Sequence, residues 1–163
     1  MLNKQDVPEM SREEKLLLFG EGEWIDEPDY HEFDHSGIGC RIIRNPVWAF
    51  CGYVFIPANH PWHSKHYRDI KCDAHGGLTF SELLDNGEYW IGFDCSHSTD
   101  ISPACEKMMR NARESIKKEN PSLFEYGADF PSGHMLNPSY KNINFVIEEC
   151  KKLADQAIEA AND

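Results

Sequence analysis

The stretch Val47–Ile56, VWAFCGYVFI, constrains this chain more than any other. It carries no charge, and β-branched and aromatic residues dominate it. Such a run is too short to span a membrane and reads as a strand. Apolar side chains occupy both parities, so neither face suits water. The run is therefore predicted to be a central strand covered on both sides. Gly52 within it marks a bulge or a close backbone approach. Ile38–Arg44 reads as the preceding strand, with Asn45-Pro46 as the break, which makes the pair an antiparallel hairpin.

A second apolar run, Tyr89–Phe93, falls in a predicted strand over Glu88–Cys95. Alternation puts Tyr89, Ile91, Phe93 and Cys95 on one face, and Trp90, Gly92 and Asp94 on the other. Ile70–Phe80 reads as a further strand interrupted at Gly76-Gly77, and Asp85-Asn86-Gly87 as a turn. Ser11 with Glu14 has the form of a capping box, opening a short helix through Leu16-Leu17-Leu18-Phe19 that stops at Gly20. Ser102-Pro103 reads as the N-cap and first position of a surface helix to about Glu119. Its modest apolar stripe is Cys105, Met109, Ala112 and Ile116. The clearest helical period runs from Tyr140 to about Ala160, with Ile143, Val146, Ile147, Cys150, Leu153, Ala154, Ala157 and Ile158 on one face.

These elements predict an α+β fold. An antiparallel sheet of four to five strands is packed by the long C-terminal helix, with the second helix at the surface. Residues 1–21 read as an N-terminal tail, loose over 1–10, and a short helix. Residues 22–163 read as a single α+β domain, large enough for its own core. Residues 22–29 are expected to be extended or irregular, anchored by Trp24, with Glu27 and Asp29 either solvated or reaching the site. The proline- and glycine-containing segment 120–138 is expected to be a long ordered loop pinned by Phe124, Tyr126 and Phe130.

Net charge is −12, from 28 acidic and 16 basic side chains. That repels a nucleic-acid duplex, and the acids are too scattered for a nucleic-acid mimic. The N-terminal sequence lacks the basic and apolar regions of a secretion signal, and no apolar run is long enough for a membrane helix. A cytoplasmic protein without membrane contact is expected. A homo-oligomer is compatible with the sequence. Without an export signal, the six cysteines are expected to be buried free thiols.

The chemistry concentrates between Asp73 and Asp100, in His75-Gly76-Gly77-Leu78-Thr79 and in Asp94-Cys95-Ser96-His97 with Asp100 behind it. One reading is a pocket for a small anionic, nucleotide-like ligand. Gly76-Gly77 would let backbone N–H groups approach a phosphate, and His75, His97 and Thr79 would donate. The helix start near Pro103 would turn its positive end toward the ligand, and Trp90 or Tyr53 would stack on a base. Asp94 and Asp100 repel an anion, but suit ribose hydroxyls, an amine or a bridging Mg²⁺. His60 joins this set from the loop Pro57–Arg68, which also holds His63 and His66 and reads first as a solvated loop. The Gly-Gly pair fits a bulged strand with a tight turn equally well.

A second reading is a metal-dependent hydrolase of a phosphorylated small molecule. His75, Asp94, His97 and Asp100 would hold Zn²⁺ or Mn²⁺ with an open position for water. A variant pairs Cys72-x-x-His75 with Cys95-x-His97 as a closed zinc site, which needs a bend to bring Cys72 and His75 together. A third is metal-free: His97, oriented by Asp94 or Asp100, moves a proton. Cys95, close to His97 in sequence, is considered as a nucleophile and set aside. The fourth is non-enzymatic, a protein-binding inhibitor in which the His/Asp cluster is a buried hydrogen-bonded strut. The residues leave open whether the chain is an enzyme.

Several stretches also match as a set: Trp24 with Glu27-Pro28-Asp29, Gly39-Cys40-Arg41, Cys51-Gly52-Tyr53-Val54 with His60-Pro61, His75 to Thr79, Trp90 to His97, and Tyr140, Val146, Glu149 and Leu153-Ala154 near the C-terminus. Over residues 22–158 the chain resembles a family of small uncharacterised proteins of tailed phages and prophages. The resemblance implies a phage accessory protein working in the host bacterial cytoplasm. It further implies a part in phage–host conflict, by sequestering a defence signal or inhibiting a host factor. It supplies no mechanism. Cys72 lies outside the family's pattern, which counts against the zinc site that needs it.

Overall fold

The structure is a computed structural model and describes residues 2, 4–122 and 138–162. Five strands, β1 (Tyr30–His35), β2 (Ile38–Arg44), β3 (Phe50–Ile56), β4 (Phe80–Leu83) and β5 (Tyr89–Asp94), form one antiparallel sheet in the order β1-β2-β3-β5-β4. A separate parallel pair joins β6 (Asp100–Ile101) to β7 (Ser139–Tyr140). Among the described residues the longer helices are α1 (Arg12–Phe19), α2 (Pro103–Glu119) and α3 (Ile143–Asn162). This is the α+β fold expected, with the larger of the two strand counts.

The uncharged run is the middle strand, as its composition requires. Phe50, Val54 and Ile56 of β3 share the inner face with Ile38, Cys40 and Ile42 of β2 and with Ile91 and Phe93 of β5. Against them α3 lays Val146, Cys150, Leu153, Ala154 and Ala157, all fully buried. Each large apolar side chain in this layer contributes about 1.5–3 kcal/mol by leaving water. Gly52 marks a close approach rather than a bulge. A Cβ there would lie 2.6 Å from the Cys150 sulfur, and the register runs unbroken on both sides.

On the outer face, Ile43, Tyr53, Phe55, Phe80 and Trp90 are covered by Leu2 and Val7. The segment 1–10 is therefore not a loose tail at those two positions. Its two buried apolar side chains close a sheet face that would otherwise expose Trp90 to water.

Three strand boundaries differ from expectation. Residues 70–79 form no strand, because the chain turns at Ala74, whose carbonyl accepts from Gly77 N at 2.8 Å, and only Phe80–Leu83 pairs with β5. Ile70, Cys72, Ala74 and Leu78 still pack on the core, so the apolar pattern was packing without pairing. The central strand begins at Phe50 because Asn45 Oδ1 accepts from Val47 N and Ala49 N, holding a turn that places Trp48 at φ 64°. Edge strand β1, YHEFDH, was not foreseen, since mostly polar residues give little apolar alternation.

The capping box of α1 is present as expected. Ser102 precedes α2 but makes no side-chain cap; its carbonyl accepts from Glu106 N. Beyond Asn111, α2 is exposed at every position. The loop expected around Phe124, Tyr126 and Phe130 lies outside the described residues. All six thiols are unpaired, with Cys40, Cys51, Cys95 and Cys150 buried. Burial pushes the Cys40 and Cys51 thiols up to about 12. Among the described residues no helix is long and apolar enough to cross a membrane.

Candidate functional site

Two turns bring the polar clusters together. After β5 the chain stays on β3 for one more residue, Cys95 N donating to Phe50 O at 2.9 Å, and then folds back. Asp100 N donates to His97 O at 2.9 Å, while His97 N donates to Asp100 Oδ2 at 3.0 Å. This reciprocal pair closes the 97–100 turn and points the Asp100 carboxylate inward. The second turn, Ala74–Gly77, presents His75 to the same carboxylate.

His75 Nε2 lies 2.9 and 3.0 Å from the two Asp100 oxygens, and His97 Nδ1 lies 3.1 Å from Oδ2. An ionised carboxylate only accepts, so both ring nitrogens donate. The rings meet edge-to-face at 5.2 Å, and Phe145 of α3 meets His75 in the same way. The Asp100 side chain is 0% exposed, whereas His75 keeps 17% and His97 30% of their side-chain surface. Burial raises the Asp100 pKa, but hydrogen bonds from His75 and the His97 main chain, together with the His75 charge and the His97 ring, outweigh it. The group is held below the usual carboxylate value.

Gly76 makes the cluster sterically feasible. Its φ is 66°, and a Cβ there would sit 2.0 Å from His97 Cε1, a severe clash with the ring. The imidazole rests directly on the glycine. Of the two backbone donors expected for a phosphate cradle, Gly77 N is engaged, donating to Ala74 O.

The other expected residues lie elsewhere. Asp94 has the parity of Trp90 on the outer face, and its Oδ1 accepts from Ser96 N at 2.9 Å. His60 is a buried strut. Its Nε2 lies 2.7 Å from Ala157 O, and its Nδ1 accepts from Trp62 N. His60 bonds α3 at Ala157 whereas His75 meets it at Phe145, twelve positions and about 18 Å away along the axis, so the His60 ring is not part of the His75 cluster. His63 sits against Tyr89, and His66 Nδ1 accepts from Arg68 N. Trp90 is covered on the outer face, with Arg41 over its ring. Among the described residues, the three-donor group able to hold a metal is His75, His97 and Asp100, without Cys72 or Cys95.

The ligand atoms of that group lie within 4.8 Å of one another. A tetrahedral ion with bonds of about 2.1 Å separates its ligands by about 3.4 Å. The imidazole–carboxylate separations of 2.9–3.1 Å fall a few tenths of an ångström short of that, so each ring would withdraw from Asp100 by that much and carry its proton on the far nitrogen. Two imidazoles and one carboxylate suit Zn²⁺, Mn²⁺ or Fe²⁺ and leave positions open.

Sequence reasoning missed Lys141, whose Nζ lies 3.8 Å from Asp100 Oδ1. A signal was present: a lysine just before a helix opposes the positive end of its dipole and calls for a nearby anion. It also left Glu27 and Asp29 unplaced. Both lie in ion pairs, the half-buried Glu27 with Arg44 at 3.0 Å and the buried Asp29 with Lys15 at 2.8 Å. A cavity of about 490 Å³ adjoins them, lined by Arg12, Lys15, Asp26, Glu27 and Asp29 among others. Its charges are matched within the chain, so none is left to select a guest. No protein-family model, curated protein or solved structure matches the chain.

Proposed function

We propose that this chain is a metal-dependent hydrolase of a phosphorylated small molecule, with His75, His97 and Asp100 holding one divalent ion. The observation that carries the reading is the convergence of two imidazole nitrogens on one sealed carboxylate while both rings stay partly open to solvent. A strut serving only the fold has no need of exposed rings; His60, bonded at both nitrogens and buried, shows that alternative in the same molecule. When bound, such an ion lowers the pKa of a water and polarises a phosphoryl oxygen. The chain's own part is orientation. The His97 amide fixes Asp100, Gly76 seats the His97 ring, and Phe145 abuts the edge-on His75 ring. The resemblance to tailed-phage accessory proteins supports a nucleotide-like host signal as substrate. Lys141 beside the cluster also favours a second reading, in which such an anion is bound and sequestered without cleavage.

The test is metal analysis of the purified protein, followed by thermal shift with Zn²⁺ or Mn²⁺ before and after chelation. About one equivalent of ion is expected, with stabilisation that disappears in His97→Ala. If no ion co-purifies and none raises the melting point, the metal reading is wrong. Chromatography after incubation with phosphorylated small molecules then separates hydrolysis from binding.

A further inference from the structure

Lys141 is out of place by the rules of helix electrostatics. It stands two residues before Ile143, the first residue of α3, where the helix dipole repels a cation. Its side chain is 16% exposed. The ammonium donates to Ser139 Oγ at 2.5 Å and lies 5.2 Å over the Phe145 ring. At 3.8 Å it is too far from Asp100 Oδ1 for a hydrogen bond, and that carboxylate already takes donors from His75, the His97 ring and the His97 main chain. An ammonium here also repels any divalent ion on the same carboxylate.

The placement makes physical sense if a further anion completes the site. With a divalent ion bound, Asp100 neutralises one charge and Lys141 restores it, leaving a doubly positive cluster on a chain of net charge −12. A phosphate monoester, close to a dianion at neutral pH, matches that charge; a diester carries one charge and leaves one unmatched. The lysine is also held in position from both sides. Tyr140 OH donates to Glu27 Oε2 at 2.5 Å, and Ile143 N donates to Glu27 Oε1 at 2.7 Å. One carboxylate thus anchors the chain just before and just after Lys141.

We infer that Lys141 binds a non-bridging oxygen of a phosphate monoester at this site, and that monoesters rather than diesters are its substrates. The inference rests on the hydrolase reading for its chemistry, but it is tested separately by binding.

The probes are phenylphosphonate, a dianion that cannot be hydrolysed at phosphorus to release phenol, and its monoanionic methyl ester. Calorimetric titrations of wild type, Lys141→Ala and Lys141→Arg are run with Mn²⁺ and with chelator, alongside metal analysis of each protein. Wild type is expected to prefer phenylphosphonate. Lys141→Ala should weaken it on the order of ten- to a hundredfold without losing metal, and Lys141→Arg should restore part of the affinity. Equal phenylphosphonate affinity in wild type and Lys141→Ala, or no binding to wild type in either condition, overturns the assignment. Equal affinity of wild type for the two probes overturns the preference for monoesters. Should wild type take up no metal yet bind phenylphosphonate through Lys141, the hydrolase reading falls and the lysine assignment stands.

Discussion

Around Glu27 the buried charges pair with one another, although Asp29 Oδ1 and Arg44 Nε make no hydrogen bond; around Asp100 the carboxylate meets imidazoles. Arg44 gives Nη2 to Glu27 at 3.0 Å and Nη1 to Tyr140 OH and Trp48 O, and its guanidinium lies 3.4 Å over Phe50. Lys15 donates to Glu27 O and faces Asp29, whose other oxygen accepts from Met10 N. Tyr140, pushed up by burial, holds its proton for Glu27. Four separate stretches of chain are tied together there, and the partners of each carboxylate are groups with no second role. The Asp100 side chain is as deeply buried as that of Asp29. Its partners are imidazoles, each with a second nitrogen and an exposed edge. Burial of an anion therefore does not distinguish a staple from a site; the chemistry of what surrounds it does.

The largest expected effect breaks the closed cluster. Arg44→Ala leaves Glu27 and Asp29 buried with fewer counter-charges, and should destabilise the protein by about 3–5 kcal/mol in urea titration. His97→Ala in metal-free protein should lose far less, about 1 kcal/mol, because its hydrogen bond lies at a partly exposed ring. Comparable losses in the two variants would erase the distinction between them.

A smaller effect comes from the paired glycines. Gly76 and Gly77 both have positive φ, so an alanine at either is strained by roughly 1–2 kcal/mol. Only at Gly76 does the new Cβ meet the His97 ring; at Gly77 nothing lies within 4 Å. Gly77→Ala should cost about 1 kcal/mol and leave metal uptake intact. Gly76→Ala should cost about 2–3 kcal/mol and abolish uptake, because the ring must leave Asp100. Equal metal titrations for the two variants would mean that the His97 seat does not matter.

Much of this fold was legible because the apolar residues carry it. VWAFCGYVFI could only be central, and the stripe from Val146 to Ala157 could only cover a sheet. β1 was missed because an edge strand rests on main-chain pairing, which leaves little trace in YHEFDH. Within the site, His75, His97 and Asp100 were readable as residue types clustered in sequence. Asp94 and His60 were of the same types, and only geometry separates them: Asp94 by strand parity, His60 by its distance along α3. The glycines were read for the space they offer a ligand, when the space at Gly76 is filled by a neighbouring ring. Lys141 was missed because its partner lies 41 positions away, across a parallel pairing of two-residue strands.

A further effect uses pH, with chelator present. Asp100 is held below the usual carboxylate pKa when folded, because its hydrogen bonds and the His75 charge outweigh burial. On acidification the unfolded chain therefore takes up this proton first, near the ordinary value of about 3.9. The stability Asp100 contributes is complete above that value and drains away as pH falls through the lower folded value. Asp100→Asn has no such proton to exchange. The variant should be less stable than wild type by about 1.5 kcal/mol at neutral pH. From about pH 5 downward that gap should shrink, and it should close below pH 4. Urea midpoints across this range measure it directly. A gap that widens below about pH 5 would mean that burial, not hydrogen bonding, dominates the folded carboxyl. Asp100 would then be a poorly satisfied core residue, and the cluster would lose the preformed anion that a metal ion needs.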